Sequence, residues 1–167
     1  MAPVGVPPVE TARTQIGRRS APRYWVGAAS REHVLNGIRG GFAQFGHGKF
    51  GPAGRMAKGD WVAYYSRKMV FGQPDPCQRF TAIGQVVDDG AYQVEQAPGF
   101  KPWRRRVAYA RAIEAGVRPL IPYLGFIKSK RSWGTSFRLG FFEVPQSDFE
   151  RIARSMRVEL GTGRDRT

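Results

Sequence analysis

Short runs of aromatic and β-branched residues, separated by turns rich in Gly and Pro, constrain the fold of this chain most strongly. The sequence contains 11 Phe, 6 Tyr and 4 Trp, together with 21 Gly and 12 Pro. This pattern favours a β-rich body over a helical bundle. The segments predicted as strands are 24–28, 42–45, 61–66, 79–89, 91–94, 105–109 and 137–145.

Helices are predicted near both ends of this β-rich region. The segment SREHVLNGIRGG begins at Ser30, a good N-cap, and should stop at Gly40-Gly41. Residues 146–156 form an amphipathic pattern with Phe149, Ile152 and Met156 facing inward, capped by Gln146 or Ser147. A short, Pro-interrupted helical segment is predicted at 119–127, and a Gly-rich surface loop at 47–56. The expected fold is therefore α+β, with about six mainly antiparallel strands in a curled sheet.

The middle of the chain is predicted to form one domain. Residues 1–22 are rich in Pro, Gly and Arg without any period, so we expect a disordered leader. Residues 23–156 show neither an internal repeat nor a dividing linker. Residues 157–167 are expected to be a flexible C-terminal end.

The charge is the strongest compositional indication of function. The net charge is +14, and residues 23–154 alone carry 21 Lys and Arg against 10 Asp and Glu. Arginine dominates, and its guanidinium pairs with phosphates and stacks on bases. The composition therefore predicts a polyanionic partner, with nucleic acid the leading candidate.

Several other classes of protein do not fit. Cys77 is the only cysteine, and His33 and His47 are the only histidines, so we expect no disulfide framework, no metal site and no cofactor. Neither a signal-peptide pattern nor an apolar run long enough for a bilayer is present, so no membrane partner is expected. These features predict a soluble protein of the cytoplasm, either free or associated with the nucleoid.

The sequence favours binding over catalysis. The pair Asp88-Asp89 before Gly90 reads as a turn, and no pair of acidic residues has the setting of a metal-dependent nuclease site. Cys77 has no obvious basic activator. The segment GHGKFGPAGR lacks the G-K-[ST] ending of a phosphate-binding P-loop.

Five motifs in order resemble one known family. They are YWVGAASREHVLNG, GGFAQF, KGDWVAYYS, CQRFTAIGQVVDD and WGTSFRLGFFEVP. Together they resemble the EVE domain family, a branch of the PUA-like superfamily related to YTH and ASCH domains. The H-V-x-x-G element of that family is matched by residues 33–37, and the resemblance runs from about Tyr24 to Ile152.

The resemblance implies a small open β-barrel flanked by helices. Relatives use a pocket in this barrel to hold a base, often a modified one, between aromatic side chains. EVE proteins are thought to read modified DNA or RNA, and some are linked to restriction or RNA-modification systems, whose proteins are possible partners. The resemblance does not choose between DNA and RNA, and it brings no established catalytic activity.

Reading a flipped base requires a flat aromatic wall, hydrogen-bonding groups for the base edge, and a basic rim. Ser30 at the strand-to-helix joint and Gln44 on a strand could bind the base edge, although Ser30 could equally be a plain N-cap. Phe42 and Phe80 could equally belong to the core, whereas Trp133, among basic residues in a loop, is poorly placed for a deep core. The residues expected at the base pocket are Ser30, His33, Phe42, Gln44, Tyr65, Ser66, Phe80, Trp133 and Phe137.

Basic clusters are candidates for the rim around that pocket. Any one cluster could equally be ordinary solvated surface, and only convergence on a single face would favour a shared role. The expected rim residues are Lys49, Arg79, Arg104, Arg105, Arg106, Lys128, Lys130, Arg131 and Arg138. The alternative function is a sensor or enzyme for a small anionic or nucleotide-like metabolite that uses the same pocket.

Overall fold

The computed structural model describes residues 21–161. This part of the chain forms eight strands and three α-helices, two of the helices before β3 and one after β8. The strands are β1 (Tyr24–Ala28), β2 (Phe42–Ala43), β3 (Trp61–Lys68), β4 (Pro76–Val86), β5 (Tyr92–Gln93), β6 (Trp103–Tyr109), β7 (Ala115–Gly116) and β8 (Phe141–Val144). The helices are α1 (Arg31–Gly40), α2 (Phe50–Arg55) and α3 (Gln146–Ser155). Residues 1–20 of the expected leader and 162–167 of the expected flexible end lie outside the described residues, whereas Val158 and Leu160 pack against the hydrophobic core.

A single curled sheet organises the domain. The strand order is β2-β6-β4-β3-β1-β8, with β5 added beside β6 and β7 beside β4. Among the eight described strands only β1 and β3 pair in parallel, and the connection between them, which contains α1, β2 and α2, is long enough for the crossover that a parallel pair needs. The other pairs are antiparallel, so the predicted α+β fold with a mainly antiparallel, curled and open sheet is confirmed.

Helix α1 begins and ends where the sequence predicts. Ser30 is its N-cap, and the Ser30 hydroxyl accepts a hydrogen bond from the His33 amide at 3.3 Å. Gly41 follows the helix with φ 68°, a left-handed conformation that glycine adopts at little cost.

Helix α2 lies in the segment that the sequence predicts to be a loop. Its glycines disfavour a helix, but Ala53 is buried and its carbonyl accepts a hydrogen bond from Arg105 at 3.0 Å. Arg105 also donates to the Met56 carbonyl, just beyond the helix. Contacts from β6 thus stabilise a helix that local preference alone would not form.

Three further predictions about local structure are wrong. Residues 119–127 form only a 3₁₀ turn at Arg118–Leu120, followed by other turns. The predicted strand at 137–145 begins only at Phe141, because a 3₁₀ helix covers Trp133–Leu139 and Gly140 then turns the chain with φ 74°. The N-cap of α3 is Pro145, which provides no side-chain cap, so the predicted cap at Gln146 or Ser147 is wrong.

Two hydrophobic clusters flank the sheet. The first contains Phe149, Ile152 and Met156, which are fully buried as the pattern of α3 predicts. The second contains Trp25, whose ring stacks on Phe141 at 4.9 Å and whose indole N–H donates to Asp60 at 3.0 Å. These clusters cover the two faces of the sheet. An opening remains at one end of β1 and β3.

Candidate functional site

A cavity of ≈490 Å³ lies where the parallel strands β1 and β3 end. Ala28 and Tyr65 are register partners in that pair, and both line the cavity. The first part of β4 and the segment 131–138 complete its walls. The lining residues are Ala28, Tyr65, Arg67, Gln78, Arg131, Ser132, Trp133, Gly134, Thr135, Phe137 and Arg138.

Aromatic rings form one wall of this cavity. Tyr65 and Phe137 are stacked, with ring centroids 3.9 Å apart and planes 22° apart. The Trp133 ring stands nearly perpendicular to both, with its centroid 6.3 Å from that of Tyr65 and 6.4 Å from that of Phe137. Phe80 lies behind the wall, fully buried, with its ring edge-on to Tyr65 at 5.8 Å. The predicted wall residue Phe80 therefore supports the wall and does not line it.

The Tyr65 hydroxyl is available to a ligand. Tyr65 is only 2% exposed, and burial raises the pKa of its phenol to about 12. Its hydroxyl has no hydrogen-bond partner between residues 21 and 161, although every fully buried side-chain polar atom in that range has one. The small exposed part of Tyr65 must therefore include the hydroxyl, and this group is a protonated donor at neutral pH.

Positive charge surrounds the cavity. Arg67, Arg131 and Arg138 line it and are solvent-exposed, and no Asp or Glu is among the lining residues. The Arg118 guanidinium lies 5.5 Å from the centre of the Trp133 ring and donates to the Gln78 side chain at 3.2 Å. The positive charge of these arginines favours the binding of an anionic ligand.

Ser30 does not contribute to this cavity. Its hydroxyl is occupied by the His33 amide, and the Glu32 amide donates to the Met69 carbonyl at 3.0 Å. Two amides of this helix N-terminus, those of Glu32 and His33, are thus used within the protein. The joint fixes the start of α1 against the loop after β3.

His33, Phe42 and Gln44 lie together on another part of the molecule. His33 Nε2 is 3.1 Å from the Gln44 carbonyl, and burial lowers the pKa of its imidazole. The Gln44 side chain accepts from Arg104 Nε at 2.9 Å, and the Arg104 guanidinium lies 3.7 Å above the Phe42 ring. The expectation that Ser30, Gln44, Ser66 and Trp133 converge on one pocket is therefore wrong.

Ser66 is excluded from the cavity by strand alternation. It neighbours Tyr65 on β3, so its side chain leaves the opposite face of the sheet. The hydroxyl is fully buried and lies 2.7 Å from that of Thr81.

Of the basic residues expected at the rim, Arg131 and Arg138 line the cavity. Arg105 is 1% exposed and forms an ion pair with Asp88 at 2.7 Å, so its assignment to the rim is wrong. Lys130 donates to the carbonyls of Leu124 and Ile127, both at 3.0 Å. The remaining candidates lie outside the cavity lining: Lys49, Arg79, Arg104, Arg106 and Lys128.

Sequence reasoning missed several lining residues. Arg67 could have been found, because it stands two positions after Tyr65 on the same strand and so shares its face. Gln78 has φ 54° at an irregular part of the β3–β4 pairing, which strand periodicity does not indicate. The other missed lining residues are Ala28, Ser132, Gly134 and Thr135.

A larger groove of ≈890 Å³ shares Ser132 and Thr135 with the cavity. Phe126, Leu139 and Phe142 give it apolar surface, and Lys128 lines it. The Asp148 carboxylate in this groove accepts from the amides of Gly125 and Phe126 at 3.0 and 2.9 Å. The segment 131–138 therefore separates two adjoining openings.

Residues 21–161 contain neither a candidate metal site nor a helix that could span a membrane. No three His, Cys, Asp or Glu side chains there are grouped so that they could hold a metal ion. None of the helices in the same range has the length and apolar character needed to cross a membrane.

Solved structures support the fold assignment. A hypothetical protein of Leishmania major superposes with a TM-score of 0.57 at 14% identity, covering 84% of this chain and 98% of that one. A protein of Agrobacterium tumefaciens gives a TM-score of 0.51 at 15% identity, covering 81% and 94%. At these identities the likeness concerns the fold alone.

Sequence relatives are much closer. A UPF0310 protein of Mycobacterium avium is 46% identical over 132 residues, which is 79% of this chain and 96% of the relative. The UPF0310 protein YdcG of Bacillus subtilis is 38% identical over 137 residues, covering 82% and 94%. The model of the EVE domain matches residues 23–155. The chain therefore belongs to the EVE domain family.

Proposed function

We propose that this protein is a binding module that holds one base of DNA or RNA, carrying a modification, in the cavity beside β1 and β3. The observation that carries the proposal is the aromatic wall of Tyr65, Phe137 and Trp133 within a cavity that arginines line without any carboxylate. A volume of ≈490 Å³ lies within the range of pockets that hold small organic groups.

Each group at the cavity has a physical task in this proposal. The base leaves its stack, which costs a few kcal/mol, and regains stacking energy against the Trp133 ring. The Tyr65 hydroxyl and the Gln78 amide bind polar atoms at the base edge. Arg67, Arg131 and Arg138 bind the flanking phosphates, because a guanidinium can donate two parallel hydrogen bonds to a phosphate. None of these tasks is catalytic.

Membership of the EVE domain family supports the same function. Proteins of this family are thought to read modified nucleic acids, and some are linked to restriction or RNA-modification systems. We accordingly propose that the bound base is modified and that proteins of such systems are the partners. The net charge of +14 is consistent with a polyanionic ligand.

A binding screen tests this function. The full chain is titrated with short DNA and RNA oligonucleotides that differ only in one central base, modified or unmodified, at fixed salt. We expect at least tenfold tighter binding of one modified oligonucleotide than of its unmodified match. Equal affinity across the modified set would overturn base reading, and a free mononucleotide that binds as tightly as the oligonucleotide would favour the small-metabolite alternative.

The Tyr65 hydroxyl gives a second, smaller prediction. Tyr65→Phe removes only this hydroxyl, and losing a hydrogen bond worth about 0.5–1.5 kcal/mol should weaken binding of the preferred oligonucleotide about two- to twelvefold. Because the pKa of Tyr65 is raised to about 12, the wild-type hydroxyl remains protonated at pH 9.5. The ratio of variant to wild-type Kd should therefore be the same at pH 7 and pH 9.5.

The same raised pKa predicts how stability depends on pH. The contribution of Tyr65 to folding is fully present below its unfolded pKa of about 10 and is lost as the pH rises towards 12. Denaturation at pH 8 and pH 10.5 measures this, and the free energy of unfolding should fall more in wild type than in Tyr65→Phe.

In the binding experiment, a Kd unchanged by Tyr65→Phe would exclude the hydroxyl from the site.

A further inference from the structure

A second basic surface lies on the short strands at the other end of the sheet. In the β2–β6 pair Phe42 is opposite Arg106, and in the β5–β6 pair Tyr92 is opposite Arg104. The Arg104 guanidinium lies 3.7 Å from the centre of the Phe42 ring, and that of Arg106 lies 4.9 Å from the centre of the Tyr92 ring. We call these four residues the arginine–aromatic face.

The arginines of this face are held in place without being neutralised. Arg104 donates to the neutral amide oxygens of Gln44 at 2.9 Å and Gln96 at 3.2 Å. Within the described chain, neither Arg104 nor Arg106 forms a side-chain ion pair. Their neighbour Arg105 differs, because its charge is paired with Asp88. Two fixed positive charges therefore remain available to a partner.

This face is separate from the cavity. Gln78 lines the cavity near the start of β4, whereas Val86 at the end of β4 is the register partner of Val107 on β6. At a rise of ~3.3 Å per residue, these positions are about 26 Å apart along the strand. A phosphate bound at Arg106, next to Val107, cannot be one that directly flanks a base in the cavity.

We propose that the arginine–aromatic face is a second contact surface, which binds the phosphodiester backbone of nucleic acid away from the cavity. Guanidinium groups match phosphate geometry, and stacking on Phe42 and Tyr92 orients them before binding. Because the stacked and hydrogen-bonded side chains are already ordered, little further conformational entropy is lost on contact. The surface does not depend on which base, if any, enters the cavity.

The test uses the full chain and unmodified oligonucleotides of 24 nucleotides, single-stranded and duplex, with Kd measured from 50 to 300 mM salt. The variant Arg104→Gln/Arg106→Gln removes two phosphate contacts. We expect weaker binding at low salt and a slope of log K against log salt that is shallower by about 1.4 to 1.8. A slope change confined to one form assigns the contact to single strands or to duplex.

The control is Arg151→Gln/Arg154→Gln, which removes the same charge from the exposed face of α3, where Arg151 lies 5.5 Å from the Tyr123 ring. It should change the slope by much less. Arg106→Gln alone, at an exposed position, should give about half of the double variant's effect with unchanged thermal stability. An unchanged slope in both forms, or an equal change in the control, would overturn the proposal. Because the oligonucleotides are unmodified, this outcome is independent of base reading.

Discussion

Replacing Trp133 with alanine should weaken binding of the preferred modified-base oligonucleotide by about 5- to 150-fold, because stacking on an aromatic side chain contributes about 1–3 kcal/mol per base. Trp133 is only half-buried and stands nearly perpendicular to the Tyr65–Phe137 pair, so its removal opens the cavity without deleting the main core. Binding of the unmodified match, which depends on phosphate contacts, should change much less. Discrimination between the two oligonucleotides should therefore collapse.

Two controls sharpen this expectation. Tyr123→Ala removes another aromatic side chain, 61% exposed and outside the cavity, and should leave discrimination intact. Trp133→Phe retains a flat ring and should recover most of the lost affinity. If Trp133→Ala weakens both oligonucleotides equally, the ring serves general affinity, and the stacking role assigned to it is wrong.

Arg105→Ala should destabilise the fold by about 3–5 kcal/mol, because breaking a buried ion pair leaves its partner charge uncompensated. Arg105 is 1% exposed and bonds to four acceptors: the Asp88 carboxylate, the Asp88 carbonyl, and the carbonyls of Ala53 and Met56. Losing this side chain unpairs Asp88 and removes the support of α2 at the same time. Chemical denaturation followed by circular dichroism measures the change in the free energy of unfolding.

The adjacent Arg106 is the matched control for stability. Its side chain is exposed and its backbone amide donates to Asp88, a contact that Arg106→Ala retains. That variant should alter stability by no more than about 0.5 kcal/mol. Arg105→Lys should lie between the two, since an ammonium group keeps the charge but cannot reach all four acceptors. Equal stabilities for Arg105→Ala and Arg106→Ala would contradict the structural role.

Helices and strands could be predicted from the sequence wherever the local residue pattern agrees with the packing in the folded domain. Ser30 and Gly41 limit α1 as their chemistry predicts, and α3 buries Phe149 and Ile152 with helical spacing. Helix α2 could not be predicted, because its stability depends on Arg105, which is about 50 residues away along the chain. Local propensity contains no information about such a contact.

The candidate site was only partly predictable for similar reasons. A tryptophan among basic loop residues is poorly placed for a deep core, which predicts a site role for Trp133, and Trp133 lines the cavity. Gln44 is a polar residue in an apolar setting, but Arg104 donates to its side-chain oxygen, and Tyr64 and His33 bond to its backbone groups. Polarity in an apolar strand indicates that a partner exists, and it does not reveal whether that partner is a ligand.

The segment 131–138 has a consequence for how ligand preference can diverge among proteins that share this barrel. It supplies seven of the eleven residues that line the cavity, so most of the wall is encoded in one contiguous stretch. Trp133–Leu139 form a 3₁₀ helix outside the ladder, so changes there leave the inter-strand hydrogen bonds intact. Substitutions at its exposed lining positions, such as Arg131, Thr135 and Arg138, can therefore change the chemistry of the cavity while the sheet stays intact.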